Sequence, residues 1–168
     1  MTKAVAIVFF SLVSVKVLAQ SNIVFQNLNT TNGLSYIGVN DMCVDKKGNL
    51  WISTGNGLNM FNGKTVDKYF AAEHPQLQNN YIIQGTVDGA DQIWTLARGG
   101  YVAMLDEKRK LHKVSIFNND TIVSTASILK TQQGGITLWT NKGFYFFNKN
   151  RLAEKADSLT GKDFTRID

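Results

Sequence analysis

The stretch Val44-Asp45-Lys46-Lys47-Gly48-Asn49-Leu50-Trp51-Ile52-Ser53-Thr54-Gly55-Asn56-Gly57-Leu58-Asn59-Met60-Phe61-Asn62-Gly63 decides the fold. It holds two short runs of β-branched, aliphatic and aromatic residues. A polar, Gly-containing turn precedes the first run, Gly55-Asn56-Gly57 separates the two, and Asn62-Gly63 closes the second. This is strand-and-hairpin chemistry. The pattern echoes twice. Val87-Asp88-Gly89-Ala90-Asp91-Gln92-Ile93-Trp94 leads through Arg98-Gly99-Gly100 to Tyr101-Val102-Ala103-Met104-Leu105-Asp106. Gly134-Gly135-Ile136-Thr137-Leu138-Trp139 leads through Lys142-Gly143 to Phe144-Tyr145-Phe146-Phe147-Asn148. The three tryptophans, Trp51, Trp94 and Trp139, are 43 and 45 residues apart. A period of this length marks stacked supersecondary units. In this alignment the third unit shortens the turn after its tryptophan by two residues.

Working outward, each unit gains a first strand, over 39–44, 81–87 and 123–129. Each also gains a fourth, over 65–70, 111–117 and 164–167. Four short strands per unit make the sheet of a β-propeller blade. The fold class is therefore all-β, a partial propeller of about three four-stranded antiparallel blades. The segment 149–163 fits less well, and the helix-forming composition of 151–156 predicts a short helical insertion there. A large aromatic at one fixed strand position in each unit should pack between neighbouring sheets. Asp45, Gly48, Trp51, Gly57, Trp94, Gly100, Trp139 and Gly143 are read as structural repeat positions.

Residues 1–19 have the form of a removable export signal. Lys3 supplies a positive start, an apolar stretch runs from Ala4 to Val15, and Val17-Leu18-Ala19 ends in small or apolar residues. This stretch of twelve residues, interrupted only by Ser11 and Ser14, is too short to cross a bilayer, which takes roughly 20. The organisation expected is a leader at 1–19, a lead-in strand segment at 20–38, and blades at 39–70, 71–117 and 118–168. The expected location is periplasmic or extracytoplasmic. A single cysteine, Cys43, excludes an internal disulfide framework and suits that compartment only if it is buried.

Of 168 residues, 43% are hydrophobic and 18% charged, with one proline among 14 glycines. This excludes disordered and collagen-like chains. The net charge of +5 falls to +3 without the two leader lysines. Its longest basic run, Lys108-Arg109-Lys110, reads as a solvated turn. A nucleic-acid surface would need a denser stripe. Neither His74 nor His112 stands in a metal-ligand spacing, and His112 reads as a surface residue of an outer strand. Gly63-Lys64-Thr65 lacks the upstream glycine of a phosphate loop, and Gly55-Asn56-Gly57 lacks the third glycine of a dinucleotide fingerprint. No catalytic residue, metal or cofactor is expected.

The first unit resembles a two-component regulator propeller repeat. Asp45, Gly48, Leu50, Trp51, Ile52, Ser53, Thr54, Gly57, Leu58, Phe61, Asn62 and Gly63 match its pattern in order. Phe25-Gln26-Asn27-Leu28 and Thr31-Asn32-Gly33-Leu34-Ser35 resemble the lead-in of such sensors. The resemblance covers 23–70 well, 80–115 moderately and 120–150 weakly. It implies the extracytoplasmic sensor region of a sensor histidine kinase, with membrane span and kinase output downstream. It also implies a small ligand, glycan-derived at the level of the family. Two other readings stand beside it: an exported propeller scaffold for protein interaction without a kinase, and a fragment of a glycan-active propeller enzyme. For the enzyme, Asp41, Asp45, Asp88 and Asp91 are the candidate carboxylates.

Propellers usually close with four to eight blades. Three would leave two apolar sheet faces open, so the expected partners are further blades or a second copy of the chain. The reading is of the N-terminal piece of a longer protein. Binding belongs on loops held by a rigid scaffold. The loop between strands two and three shares a ring face with the loop entering strand one. That face should carry Asn56, Arg98, Asn141 and Lys142, with Asn79, Asn80, Asn119 and Asp120. These groups can donate hydrogen bonds to a glycan or a carboxylate, although asparagine is also favoured simply because it tolerates left-handed turns.

Overall fold

A computed structural model describes residues 27–115, 117–118, 121–122, 124–147 and 153–156. They form three four-stranded antiparallel sheets, each a meander in chain order. Blade 1 holds β1 (Val39–Val44), β2 (Leu50–Thr54), β3 (Gly57–Phe61) and β4 (Val66–Tyr69). Blade 2 holds β5 (Ile82–Val87), β6 (Ile93–Ala97), β7 (Tyr101–Leu105) and β8 (Leu111–Val114). A two-stranded ribbon, β9 (Phe117–Asn118) with β10 (Thr121–Ile122), follows. Blade 3 holds β11 (Thr125–Lys130), β12 (Ile136–Thr140), β13 (Gly143–Phe147) and β14 (Ala153–Ala156). The expected leader lies outside the described residues.

Side chains alternate across each sheet, so every blade presents one face to the blade before it and one to the blade after. Two apolar cores fill the spaces between. Trp51 and Leu58 of blade 1 bury with Leu77, Ile82, Val87, Ile93 and Leu105. Trp94, Leu96 and Met104 of blade 2 bury with Ile128, Ile136, Leu138 and Tyr145. The innermost strands are also joined blade to blade by polar side chains. Asp41 Oδ2 accepts from the Gly85 N–H at 3.0 Å. One repeat later, Gln84 Oε1 accepts from the Ile128 N–H at 2.9 Å, and Gln84 Nε2 donates to the Ile128 carbonyl at 2.7 Å.

A carboxylate organises the turn between the first two strands. Asp45 Oδ1 accepts from the N–H groups of Lys47 and Asn49, both at 2.9 Å. Its Oδ2 accepts from Asn49 Nδ2 at 2.8 Å and from the Trp51 indole N–H at 3.0 Å. In blade 2, Asp88 Oδ1 accepts from Ala90 and Gln92 at 2.8 and 2.9 Å, and its Oδ2 from the Trp94 indole at 3.1 Å. The aspartate thus fixes the hairpin and holds the ring that fills the space to the next blade. Trp51 is 1% exposed and Trp94 5%.

Trp139 does not continue this series. Trp51 pairs with Cys43 and Trp94 with Thr86, whereas the matching residue opposite Leu129 is Thr137. Trp139 lies two residues further along, opposite Ser127, and is 51% exposed. It stacks on Phe144 at 6.3 Å. The inner half of the repeat therefore keeps a 43-residue phase throughout, and the loops between second and third strands match in blades 1 and 3. Blade 2 has the odd loop, with Gly100 as its third residue ahead of the Ala97–Tyr101 pair. In blade 3, Thr131 stands for the aspartate, its Oγ1 accepting from the Gly135 N–H at 2.9 Å. Thr137 stands for the tryptophan. It is fully buried, and its hydroxyl has no partner among the described residues.

Two further expectations are corrected. Residues 153–156 are strand rather than helix and supply the fourth strand of blade 3, ahead of the segment 164–167, which lies outside the described residues. Pairing with β13 (Phe144 with Ala156, Phe147 with Ala153) satisfies an edge that four residues of helix would leave bare. The described part of the lead-in, 27–38, contains no strand. It holds a 3-10 turn, Thr30–Asn32, capped by Asn29. Leu34 is buried there, 43 residues before Leu77, which is the last residue of a similar turn, Pro75–Leu77. The Ser35 N–H donates to Asn59 Oδ1 at 2.9 Å, and Ser35 Oγ lies 3.1 Å from Thr54 Oγ1. The lead-in thus covers part of the face that blade 1 turns away from blade 2. Met42 and Val44 remain 57% and 58% exposed there, at the register where Gly85 and Val87 are buried.

The Asp–Trp turn of blade 1 and its threonine replacement in blade 3 each give a prediction. Burial raises the Asp45 carboxyl, but hydrogen bonds from Asn49 and Trp51 and the charge of Arg109 outweigh it and hold the group below its ordinary range. Its contribution to stability is therefore present above the unfolded value of roughly 3.9 and is lost as pH falls through the lower folded value. Urea unfolding should show Asp45→Asn destabilised by about 3 kcal/mol at pH 7, with a shallower loss of stability below about pH 4 than the parent. Thr137→Val removes an unpartnered buried hydroxyl at nearly constant volume. It should leave stability unchanged or raise it by about 1 kcal/mol in the same assay.

Candidate functional site

The strand directions give the blade array two rims. One carries the turns after the first and third strands. The other carries the loops between the second and third strands, together with the loops that enter each blade.

The first rim is cross-linked by charge. Arg109, in the turn between β7 and β8, reaches back to blade 1. Its Nη2 lies 2.5 Å from Asp45 Oδ2, and its guanidinium carbon is 5.1 Å from the centre of the Trp51 ring. Nη1 donates to the Asp91 carbonyl at 3.4 Å, and Asp91 Oδ2 is 3.6 Å from Nη2. Lys46 joins from the other side, its N–H donating to Asp91 Oδ1 and its Nζ to the Gly89 carbonyl, both at 2.7 Å. The reading of Lys108-Arg109-Lys110 as a solvated turn is therefore corrected for Arg109. Its side chain is 19% exposed, because φ of 63° turns it inward onto a buried carboxylate. Asp106 builds that turn as Asp45 builds its own. It accepts from the Lys108 and Lys110 N–H groups at 2.9 Å, and it holds His112, six residues on, at 2.9 Å. The His112 hydrogen bond, with those amides, keeps the Asp106 carboxyl below its ordinary range. Gly89 and Gly134 meet here too. A Cβ on Gly134 would lie 2.8 Å from the Gly89 Cα, so the two turns touch only as glycines.

The second rim is held by backbone. The N–H groups of Gly55, Arg98 and Asn141 donate to the carbonyls of Gly38, Tyr81 and Ser124 at 3.2, 2.8 and 3.4 Å, one bond per blade. The residues expected on this rim fall into distinct groups. The Asn56 and Lys142 N–H groups are held by Thr54 and Thr140 Oγ1 at 3.2 and 3.1 Å, which leaves both side chains exposed. Asn141 is exposed as well. Asn79 and Asn80 are engaged structurally. Asn79 Oδ1 accepts from the Tyr81 N–H at 2.8 Å, and Asn80 Oδ1 from the Ala71 N–H at 2.6 Å. Asn119 and Asp120 lie outside the described residues.

Arg98 lies over the Tyr81 ring, 4.0 Å from its centre. A Cβ on Gly55 would sit 2.9 Å from the Tyr36 ring and 3.7 Å from that of Tyr81, so Gly55 is the gap between two phenols. Tyr36, Gly55, Tyr81 and Arg98 thus form a row along the rim. Tyr36 and Tyr81 were not expected there. The signal available was an aromatic just ahead of the first strand in both blades. A separate hollow of about 340 Å³ is lined by Ser124, Thr125, Trp139, Thr140 and Asn141.

The candidate catalytic carboxylates are bound to backbone amides. Asp41 accepts from Met42 and Gly85, Asp45 and Asp88 hold their turns, and Asp91 accepts from Lys46. Among the described residues there is no group of three or more His, Cys, Asp or Glu that could hold a metal. Burial and the nearby Asp41 and Asp45 charges push the Cys43 thiol up to about 12, so it is inert as a nucleophile.

Comparison with known proteins follows the repeat. Residues 33–56 match the family model described as Two component regulator propeller. A 65-residue stretch is 40% identical to Histidine kinase P4 of Formosa agariphila, covering 38% of this chain and 5% of that protein. Extracellular domains of two hybrid two component systems from B. thetaiotaomicron superpose with TM-scores of 0.62, at 22% and 23% identity. They cover 74% and 83% of this chain and 19% of each of those chains. Virginiamycin B lyase from Staphylococcus aureus superposes with a TM-score of 0.56 at 13% identity, over 76% of this chain and 43% of its own. These likenesses show the propeller fold, and the chain spans only a small part of its relatives.

The Arg109 clamp makes a prediction. Arg109→Ala should cost about 2–3 kcal/mol in urea unfolding, because it strands a buried carboxylate. Arg109→Lys should recover less than half of that, since an ammonium cannot fork between Asp45 and Asp91 or lie flat on Trp51.

Proposed function

We infer, from stacked blades that carry the two-component regulator propeller repeat, that this chain is the ligand-sensing part of an extracytoplasmic two-component regulator and is not catalytic in itself. The observation that carries this is the division of labour between the rims. On the turn rim, aspartates and basic side chains are engaged with one another. On the loop rim, main-chain bonds supplemented by Thr54, Thr140, Asn79 and Asn80 hold the loops, and Tyr36 and Arg98 are exposed, with Arg98 lying over a half-buried Tyr81. The four carboxylates that an enzyme reading would need all accept from backbone amides. Among the described residues no helix is long and apolar enough to cross a membrane, and the leader-like 1–19 fits export.

A row of two tyrosines with one guanidinium suits a ligand with an apolar sugar face and a hydrogen-bond-accepting or anionic group. Signal then passes when that ligand favours one arrangement of the full-length sensor over another, which requires different affinity for the two.

A thermal-shift screen of the exported chain against neutral and anionic oligosaccharides tests this. A ligand at about 100 times its Kd should stabilise by about 2.7 kcal/mol. Arg98→Ala and Tyr81→Ala should remove the shift at unchanged starting Tm. A shift that survives both substitutions, or conversion of the oligosaccharide to product, would overturn the reading.

A further inference from the structure

The turn rim sorts its charges by depth. The turns 45–49, 62–65, 88–92 and 106–110, with Lys130 at the end of β11, hold seven basic and five acidic residues. By type these nearly cancel, so composition shows only a mild basic excess. By exposure they do not. Each turn needs an acceptor on its inner side, and an aspartate supplies it in three of the four. Asp45 and Asp88 are buried, and Asp91 and Asp106 turn their oxygens to amides, to Arg109 and to His112. The lysines lie outside these acceptors. Lys47, Lys64, Lys108, Lys110 and Lys130 are exposed, and Glu107 is the one exposed acid among these turns. Lys47, Lys64, Lys108 and Lys110 enter the turn hydrogen bonds through their main-chain N–H groups, so the turns do not use their ammonium groups.

The pattern selects a kind of partner. The exposed lysines come from three turns on two blades and from the edge of a third, spread over the rim rather than gathered on one turn. No residue of these turns is aromatic. Sugar rings and unpaired bases are held by stacking on aromatic side chains, and this rim offers none. A laminar anionic surface needs neither a pocket nor a stacking ring. It needs ammonium groups outermost on one side of the molecule.

We propose that the turn rim lies against the surface of a bilayer containing anionic phospholipid, held by Lys47, Lys64, Lys108, Lys110 and Lys130. The loop rim, on the opposite side of the array, then faces away from the membrane and stays open to ligand. The inference shares the export of the chain with the sensing reading and uses nothing of its ligand.

The test is co-sedimentation of the exported chain with vesicles of equal parts phosphatidylglycerol and phosphatidylcholine, against vesicles of phosphatidylcholine alone. The chain should sediment with the first and not with the second. Binding should fall tenfold or more as salt rises from about 0.05 to about 0.5 M, because the charges are exposed and screened. A lysine near an anionic bilayer is worth about fivefold in binding, so Lys108→Gln with Lys110→Gln should weaken it about twentyfold. Adding Lys47→Gln and Lys64→Gln should abolish it. Lys68→Gln with Lys113→Gln removes the same charge from exposed positions on the fourth strands, off the rim, and should weaken binding less than about threefold. Equal sedimentation with both vesicles, or none with either, would overturn the proposal. So would equal losses in the two paired variants, or tighter binding of duplex DNA or polygalacturonate than of the mixed vesicles. Vesicle binding without any oligosaccharide shift would count against the sensing reading alone, and the reverse result against this proposal alone.

Discussion

A buried carboxylate needs donors, and a buried indole N–H needs an acceptor. Placing the two six residues apart across a hairpin turn answers both needs at once. Asp45 and Asp88 each close a turn with one oxygen and anchor a tryptophan with the other. The anchored ring is what the next blade packs on. Local turn geometry and inter-blade packing are therefore one constraint, and breaking either half exposes a polar group in an apolar interface.

This coupling explains which parts of the fold were legible. The Asp–Trp pair, the flanking strands and the glycine turns of blades 1 and 2 could be read because the side chains that make them are distinctive. Blade 3 keeps the geometry with other chemistry. The Thr131 hydroxyl closes the turn in place of a carboxylate, and no ring is anchored. A tryptophan two residues away then imitates the missing one and draws the alignment off phase. The fourth strand of that blade was hidden differently. Ala153-Glu154-Lys155-Ala156 has helical composition, yet β13 offers a sheet edge, and pairing overrides propensity.

The candidate site was legible only as a face. Sequence placed Asn56, Arg98, Asn141 and Lys142 on one rim because hairpin order dictates it. It could not say which asparagines close loops and which project, since both tasks suit the same side chain. Asn79 and Asn80 close loops. The tyrosines were missed because Tyr81 was read as the first residue of a strand over 81–87 and Tyr36 as part of a lead-in strand segment, whereas the strands begin at Ile82 and Val39. Arg109 was missed for the opposite reason. A Lys-Arg-Lys run looks solvated until a left-handed residue turns its middle member inward.

The two rims differ in what holds them, and the difference bears on function. Side-chain bridges such as Lys46–Asp91–Arg109–Asp45 fix a surface by using its charges. The array needs them on the turn rim, where successive turns touch as closely as Gly89 and Gly134. Main-chain bonds between Gly55 and Gly38, Arg98 and Tyr81, or Asn141 and Ser124 fix a surface without using any side chain. The side chains of Asn56 and Lys142 make none of these bonds and are exposed. A rim whose loops are held in part by main-chain bonds can vary its exposed side chains while its register stays fixed, which is consistent with the sensing role proposed above.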